Sequence, residues 1–83
     1  MVEIVYKSSV ARDLKLLDKT KAKVLLEKLE DSLRQDSKTW EPLKGEFKGL
    51  YKLRFGDYRV IFTKTGDRVL VLRVGHRSKL YDA

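Results

Sequence analysis

Apolar and polar positions alternate from Val2 to Tyr6, with Val2, Ile4 and Tyr6 on one face and Glu3 and Val5 on the other. A period of two predicts a short strand. Ser8 and Ser9 follow, and a hydroxyl there can accept from the free amides of a first helical turn. Val10, Leu14 and Leu17 then recur at helical spacing. After a break near Asp18-Lys19-Thr20, Ala22, Leu25, Leu26, Leu29 and Leu33 form a second apolar stripe, with Lys, Glu and Asp on the other faces. The two helices read as an αα-hairpin. A polar linker, roughly 36–49, carries Pro42 and Trp40, and the period of two returns beyond it.

In that second half Tyr51, Leu53 and Phe55 share one face, and Lys52 and Arg54 the other. Gly56-Asp57 has glycine where a type II′ turn needs it. Such a two-residue turn pairs Phe55 with Tyr58, Leu53 with Val60 and Tyr51 with Phe62, and sets Arg54 opposite Arg59. A second turn lies around Thr65-Gly66-Asp67, and a last strand runs from Arg68 to about Gly75. A three-residue loop there would bring Leu70, Leu72 and Val74 to the apolar face and Arg73 opposite Arg59. The other loop length would bury Arg73, so the three-residue loop is expected. Tyr51, Leu53, Phe55, Val60, Phe62, Leu70 and Leu72 are the expected core of the sheet. The fold class is α+β: an antiparallel sheet in the order β-α-α-β-β-β, packed against an N-terminal helical hairpin.

At 83 residues the chain is expected to form one domain, 1–83. A domain this small buries only about 60 % of its unfolded surface, and without cysteine no disulfide supplements that core. Absence of cysteine suits a reducing compartment, and no signal peptide or membrane span is legible. A cytoplasmic location is expected. The formal charge is +7, split unevenly: net +1 over 1–43 and net +6 over 44–83. A charge excess in one half points to a polyanionic partner.

The cations also cluster by face, with Lys52, Arg54, Arg59 and Arg73 together and Arg77 just beyond the strand end. Like charges directly opposite destabilise a sheet, and the repulsion becomes useful when a phosphate sits between them. The bland alternative is that Glu46 or Asp57 bridges them. Val5, Ile61, Val69 and Val71 fall on or beside the same face and could form a docking patch. His76 is the only histidine, and at a strand end it reads as structural first. Lys19, Lys21 and Lys23 read as a solvated face.

Several segments resemble the RelE/ParE toxin superfamily: Leu43-Lys44-Gly45, Gly49-Leu50-Tyr51-Lys52-Leu53-Arg54, Gly56-Asp57-Tyr58-Arg59-Val60-Ile61-Phe62, and Val74-Gly75-His76-Arg77 with Tyr81. The resemblance covers nearly the whole chain and implies the same β-α-α-β-β-β fold. RelE-like members cleave messenger RNA in the ribosomal A site without a metal, whereas ParE-like members share the fold, poison DNA gyrase and generally lack the nuclease residues. The resemblance therefore implies a type II toxin that is a ribosome-dependent endoribonuclease. A ParE-like non-nuclease and an inactive RNA-binding relative are the alternatives.

The residues implied as catalytic are Lys52, Arg54, Arg59, Arg77 and Tyr81. Lys44, Lys48, Arg73 and Lys79 are expected to contact RNA or the ribosome. The spacing from Arg77 to Tyr81 is shorter than in the best-known RelE, and with two residues after Tyr81 no C-terminal helix is expected. Cleavage by the RNA's own 2′-hydroxyl needs a base, cations for the phosphorane and an acid for the leaving 5′ oxygen. In this reading Arg59 and Arg77 clamp the phosphate, Lys52 is the base because neighbouring cations favour its neutral form, Arg54 acts electrostatically, and Tyr81 stacks or donates a proton. The scattered carboxylates argue against a metal, and no cofactor is expected. A RelB-like antitoxin, the ribosome and messenger RNA are the expected partners, with a toxin–antitoxin hetero-oligomer and no membrane association.

Overall fold

The computed structural model describes residues 2–35, 40–43, 45 and 49–76. Strand β1 (Glu3–Tyr6) leads into helices α1 (Ser8–Lys15) and α2 (Lys19–Gln35). Strands β2 (Glu41–Pro42), β3 (Leu50–Phe55), β4 (Tyr58–Thr65) and β5 (Arg68–His76) follow. They form one sheet in the order β1-β5-β4-β3-β2. The β2–β5 part is antiparallel as expected, but β1 runs parallel to β5, so the sheet is mixed. A parallel neighbour requires a crossover, and the helical hairpin plus the β2–β4 meander supplies it. The two-residue strand β2 was hidden in the polar linker.

The helices begin differently from expectation. Lys7 holds the N-cap position of α1 and its side chain caps nothing; Ser8 is already helical, and Ser9 Oγ donates to the Leu72 carbonyl at 2.6 Å. At α2 the cap is Asp18, whose carboxylate accepts from the amides of Thr20 and Lys21 at 3.1 and 3.4 Å. It satisfies two of the amides that a first turn leaves without helical partners.

The β3–β4 hairpin has the register that the Gly56-Asp57 turn predicts, with Phe55 opposite Tyr58, Leu53 opposite Val60, Tyr51 opposite Phe62 and Arg54 opposite Arg59. Gly56 takes φ +63° and no non-glycine residue among those described has positive φ, as the turn requires. The second hairpin differs. Thr65 pairs with Arg68, so its loop is the two residues Gly66-Asp67, not three. Phe62 then faces Val71, and a shift between Ile61 and Phe62 leaves Leu72 as the extra residue of a bulge before Ile61 meets Arg73 and Val60 meets Val74. The bulge resets the side-chain alternation. Val69 and Val71 enter before it and Val74 after it, while Leu70 and Leu72 are only half-buried. The two-residue loop therefore does not bury Arg73.

The core lies between the sheet and the helices. Val10 of α1 and Leu25, Leu29 and Leu33 of α2 meet Leu53, Val60, Phe62, Val69, Val71 and Val74. Tyr51 and Phe55 pack at its margin. Trp40 also joins it, with its ring edge-on to Phe62 at 5.0 Å and to Tyr51 at 5.6 Å. Among the described residues no helix is long and apolar enough to cross a membrane.

Candidate functional site

The face of the sheet opposite the helices is built by the alternation itself. Each inward residue of the β3–β4 hairpin leaves its neighbours outward, so Lys52 and Arg54 of β3 and Arg59 and Ile61 of β4 share the far side. Across the strands, Lys52 stands beside Ile61 and Arg54 beside Arg59. The cationic cluster read from the sequence is therefore present for these three residues.

A carboxylate that sequence reasoning missed completes the cluster. β2 pairs Glu41 with Lys52. One Glu41 oxygen lies 3.4 Å from Lys52 Nζ and the other 3.2 Å from Arg54 Nη2. The bridging acid is thus Glu41; Asp57 has no such pairing and Glu46 lies outside the described residues. Glu41 sits in an irregular segment with no alternation to betray its face. The one available signal was Pro42, which is tolerated at a sheet edge. Exposure differs across the trio: the Lys52 side chain is 18 % exposed, Arg54 59 % and Glu41 46 %.

Arg59 is only 7 % exposed. Its Nη1 donates to the Gly56 carbonyl at 2.9 Å and the Tyr58 carbonyl at 3.0 Å, so this arginine braces the hairpin turn as well as placing positive charge under the face.

Arg73 shares the outer face, as its cross-strand partner Ile61 does, but its neighbour is not the expected one. The bulge sets it opposite Ile61 and not Arg59. Its Nε and Nη2 donate to the two oxygens of Asp13 on α1, at 2.9 and 3.1 Å. The bidentate pair raises the Arg73 pKa above its ordinary value, first through the hydrogen bond and then through the charge of Asp13. Arg73 is therefore engaged with α1 in this structure. His76 ends β5 with its ring edge-on to Tyr58 at 5.8 Å. It borders a small cleft of about 190 Å³ that Asp13, Leu17 and Arg73 also line. Lys44, Lys48, Arg77, Lys79 and Tyr81 lie outside the described residues.

The apolar residues assigned to this face divide. Val69 and Val71 belong to the core; Val5, 38 % exposed, lies beside Leu70 and, with half-buried Ile61, remains on the outer side. Among the described residues no group of three or more His, Cys, Asp or Glu side chains could hold a metal ion.

Residues 4–81 match the model of a family described as the ParE toxin of the type II toxin–antitoxin system parDE. The chain belongs to this family of toxins. Its fold is that of the wider RelE/ParE superfamily. A chain of the toxin–antitoxin complex RelBE2 of Mycobacterium tuberculosis is similar at a TM-score of 0.83 and 25% identity, with 92% of this chain and 98% of that one covered. A chain of the RelB–RelE antitoxin–toxin complex of Methanococcus jannaschii gives 0.69 and 26%, over 94% and 95%. YafQ of E. coli matches in fold at 0.69 and 24%, over 98% and 99%. Among curated protein sequences no significant match is found.

Proposed function

We propose that this toxin is a metal-independent endoribonuclease that cleaves messenger RNA in the ribosomal A site. The observation that carries the reading is the outer face, where Lys52, Arg54 and Arg59 stand together with one carboxylate, Glu41, held between the first two. A merely solubilising surface would scatter its cations; here three occupy adjacent positions on paired strands.

In this mechanism Glu41 takes the proton of the 2′-hydroxyl as its oxygen attacks the adjacent phosphorus. Carboxylates as a class have a lone pair free to take a proton at neutral pH, whereas an alkylammonium must first lose one. Lys52 and Arg54 stabilise the charge that gathers on the phosphorane, and Arg77 supplies the fork that grips it. Arg59 reinforces the field from beneath the face. The P–O5′ bond breaks, and the departing oxygen takes a proton from Tyr81, leaving a 2′,3′-cyclic phosphate and a 5′-hydroxyl. Arg73 serves α1 before it serves RNA, and Lys44, Lys48 and Lys79 extend the contact with ribosomal or messenger RNA. The partner that silences the toxin in the cytoplasm is a RelB-like antitoxin in a hetero-oligomer, by analogy with the complexes of the similar toxins. Val5 and Ile61, apolar on the same outer face as the cations, suit an acidic, amphipathic segment.

Toeprinting on a programmed ribosome, with and without the protein, tests this reading. New message ends in the A-site codon are expected. Arg77→Ala should slow cleavage about a hundredfold, since one lost charge contact costs on the order of 3 kcal/mol of barrier. Tyr81→Phe separates roles: full activity in Phe but not in Ala means stacking and not proton donation. An intact message with wild-type protein refutes the nuclease and favours inhibition of a protein target in the ParE manner.

A further inference from the structure

β5 changes its support half-way along. Up to Val71 it is paired with β1, and the Lys7 amide donates to the Val71 carbonyl at 2.9 Å. β1 ends at Tyr6, so among the described residues no strand lines that edge of β5 farther on. Two side chains of α1 take over. Ser9 Oγ donates to the Leu72 carbonyl at 2.6 Å, and Asp13 Oδ2 accepts from the Val74 amide at 2.9 Å. Four residues apart, they lie on one helix face. The bulge explains why Val71 and Leu72, successive in sequence, both offer their carbonyls to the same side.

Asp13 is the one acidic side chain buried among the described residues, at 8 % exposure. A buried carboxylate is costly unless its oxygens are satisfied. Here it accepts from Arg73 Nε, Arg73 Nη2 and the Val74 amide. A serine at this site could serve the amide alone. The carboxylate fixes the backbone beyond the bulge and the neighbouring guanidinium with one group, and so sets how β5 leaves the sheet. The stretch it governs, Val74 to His76, is the one that stands against the active hairpin, with Gly75 opposite Arg59 and His76 opposite Tyr58.

We propose that Asp13 is a positioning residue for RNA cleavage, acting through the end of β5 without touching RNA. The inference rests on the nuclease reading above. It predicts a loss in the rate of the chemical step and not in binding, because the cationic face of β3 and β4 is untouched.

The test compares Asp13→Asn and Asp13→Ala with wild type in single-turnover cleavage on programmed ribosomes, over a range of toxin concentrations. Folded fraction is measured by circular dichroism, and exchange of the Val74 amide with solvent by NMR. Asn keeps an acceptor for Val74 but loses half of the bidentate pair; Ala loses both. The expected result is a maximal rate lowered on the order of tenfold to a hundredfold in Ala and less in Asn, in step with faster Val74 exchange. The half-saturating concentration should not rise by more than about twofold, since Arg73 released from Asp13 adds a cation rather than removing one. A purely structural role would instead lower the amplitude in proportion to the folded fraction and leave the rate unchanged, which overturns the proposal. Should Ala not fold, a fully active Asn variant, which lacks half of the bidentate pair, overturns it equally. If the wild type itself leaves the message intact, the nuclease reading fails and this role in it falls too, whereas an active wild type with unaffected variants removes this inference alone.

Discussion

Replacing Glu41 by Gln separates the two tasks of the outer face, because it removes a charge while keeping size and hydrogen-bonding capacity. Glu41 touches Lys52 at 3.4 Å and Arg54 at 3.2 Å. The direct Coulomb attraction at such distances is about 5 kcal/mol per pair at an effective dielectric of 20. Desolvation and side-chain ordering cancel most of it, and exposed pairs measure ~0–1 kcal/mol net. Stability should therefore fall by no more than about 1 kcal/mol in urea unfolding. Without the carboxylate's negative charge beside them, Lys52 and Arg54 attract phosphate more strongly. Binding of a short single-stranded RNA, followed by fluorescence anisotropy, should tighten. Its logarithmic dependence on salt should steepen by roughly 0.7 per additional phosphate neutralised. Cleavage on programmed ribosomes should move the other way, slowing by about 10²–10⁴-fold as expected for loss of a general base. Tighter binding with slower cleavage is a pattern that neither misfolding nor simple loss of contact yields. Full-rate cleavage by the Gln variant would refute the assignment and leave Glu41 as a counter-ion, returning the base to Lys52.

Arg59→Ala deletes the donor to two backbone carbonyls at the β3–β4 turn; stability should drop by about 2–3 kcal/mol in urea unfolding, as for a buried charged hydrogen-bond donor. Gly66 holds φ +58° in the second turn, so Gly66→Ala should cost about 1–2 kcal/mol through left-handed strain although nothing lies within 4 Å of the added methyl. Tyr6 donates to Glu30 at 2.6 Å, and burial first, then this bond, raise its pKa above the ordinary 10.0. The folded state thus keeps the Tyr6 proton where the unfolded chain releases it, so its contribution is full below about pH 10 and declines as pH rises above that. Tyr6→Phe should be less stable than wild type near pH 7, and the gap should close above pH 10 in denaturant titrations.

The outcome for each element follows from where its information resides. The β3–β4 hairpin was legible because alternation and the Gly56-Asp57 turn specify the same register, and the opposed Arg54 and Arg59 came with it. The second hairpin carries the same Gly-Asp signal at Gly66-Asp67, but following it strictly would have buried Arg73. A bulge resolves that conflict without changing the turn. Local alternation cannot announce a bulge: its support comes from Ser9 and Asp13, some sixty residues away in the chain. The same two residues explain why Ser9 is not a cap, since its hydroxyl is drawn to β5. Glu41 was missed for the converse reason, because β2 is too short to have a pattern and gains its register only from β3. The parallel β1–β5 pairing likewise depends on a crossover and not on any feature of Val2 to Tyr6. Wherever pattern alone fixed a residue's face, the site was readable; where a helix side chain substitutes for a missing strand, only the fold could supply it. The outer face thus combines cations set by local alternation with a carboxylate and a strand end set by long-range contacts. A substitution at Asp13 or Glu41, neither legible as functional in the sequence, is therefore the sharper probe of how this face works.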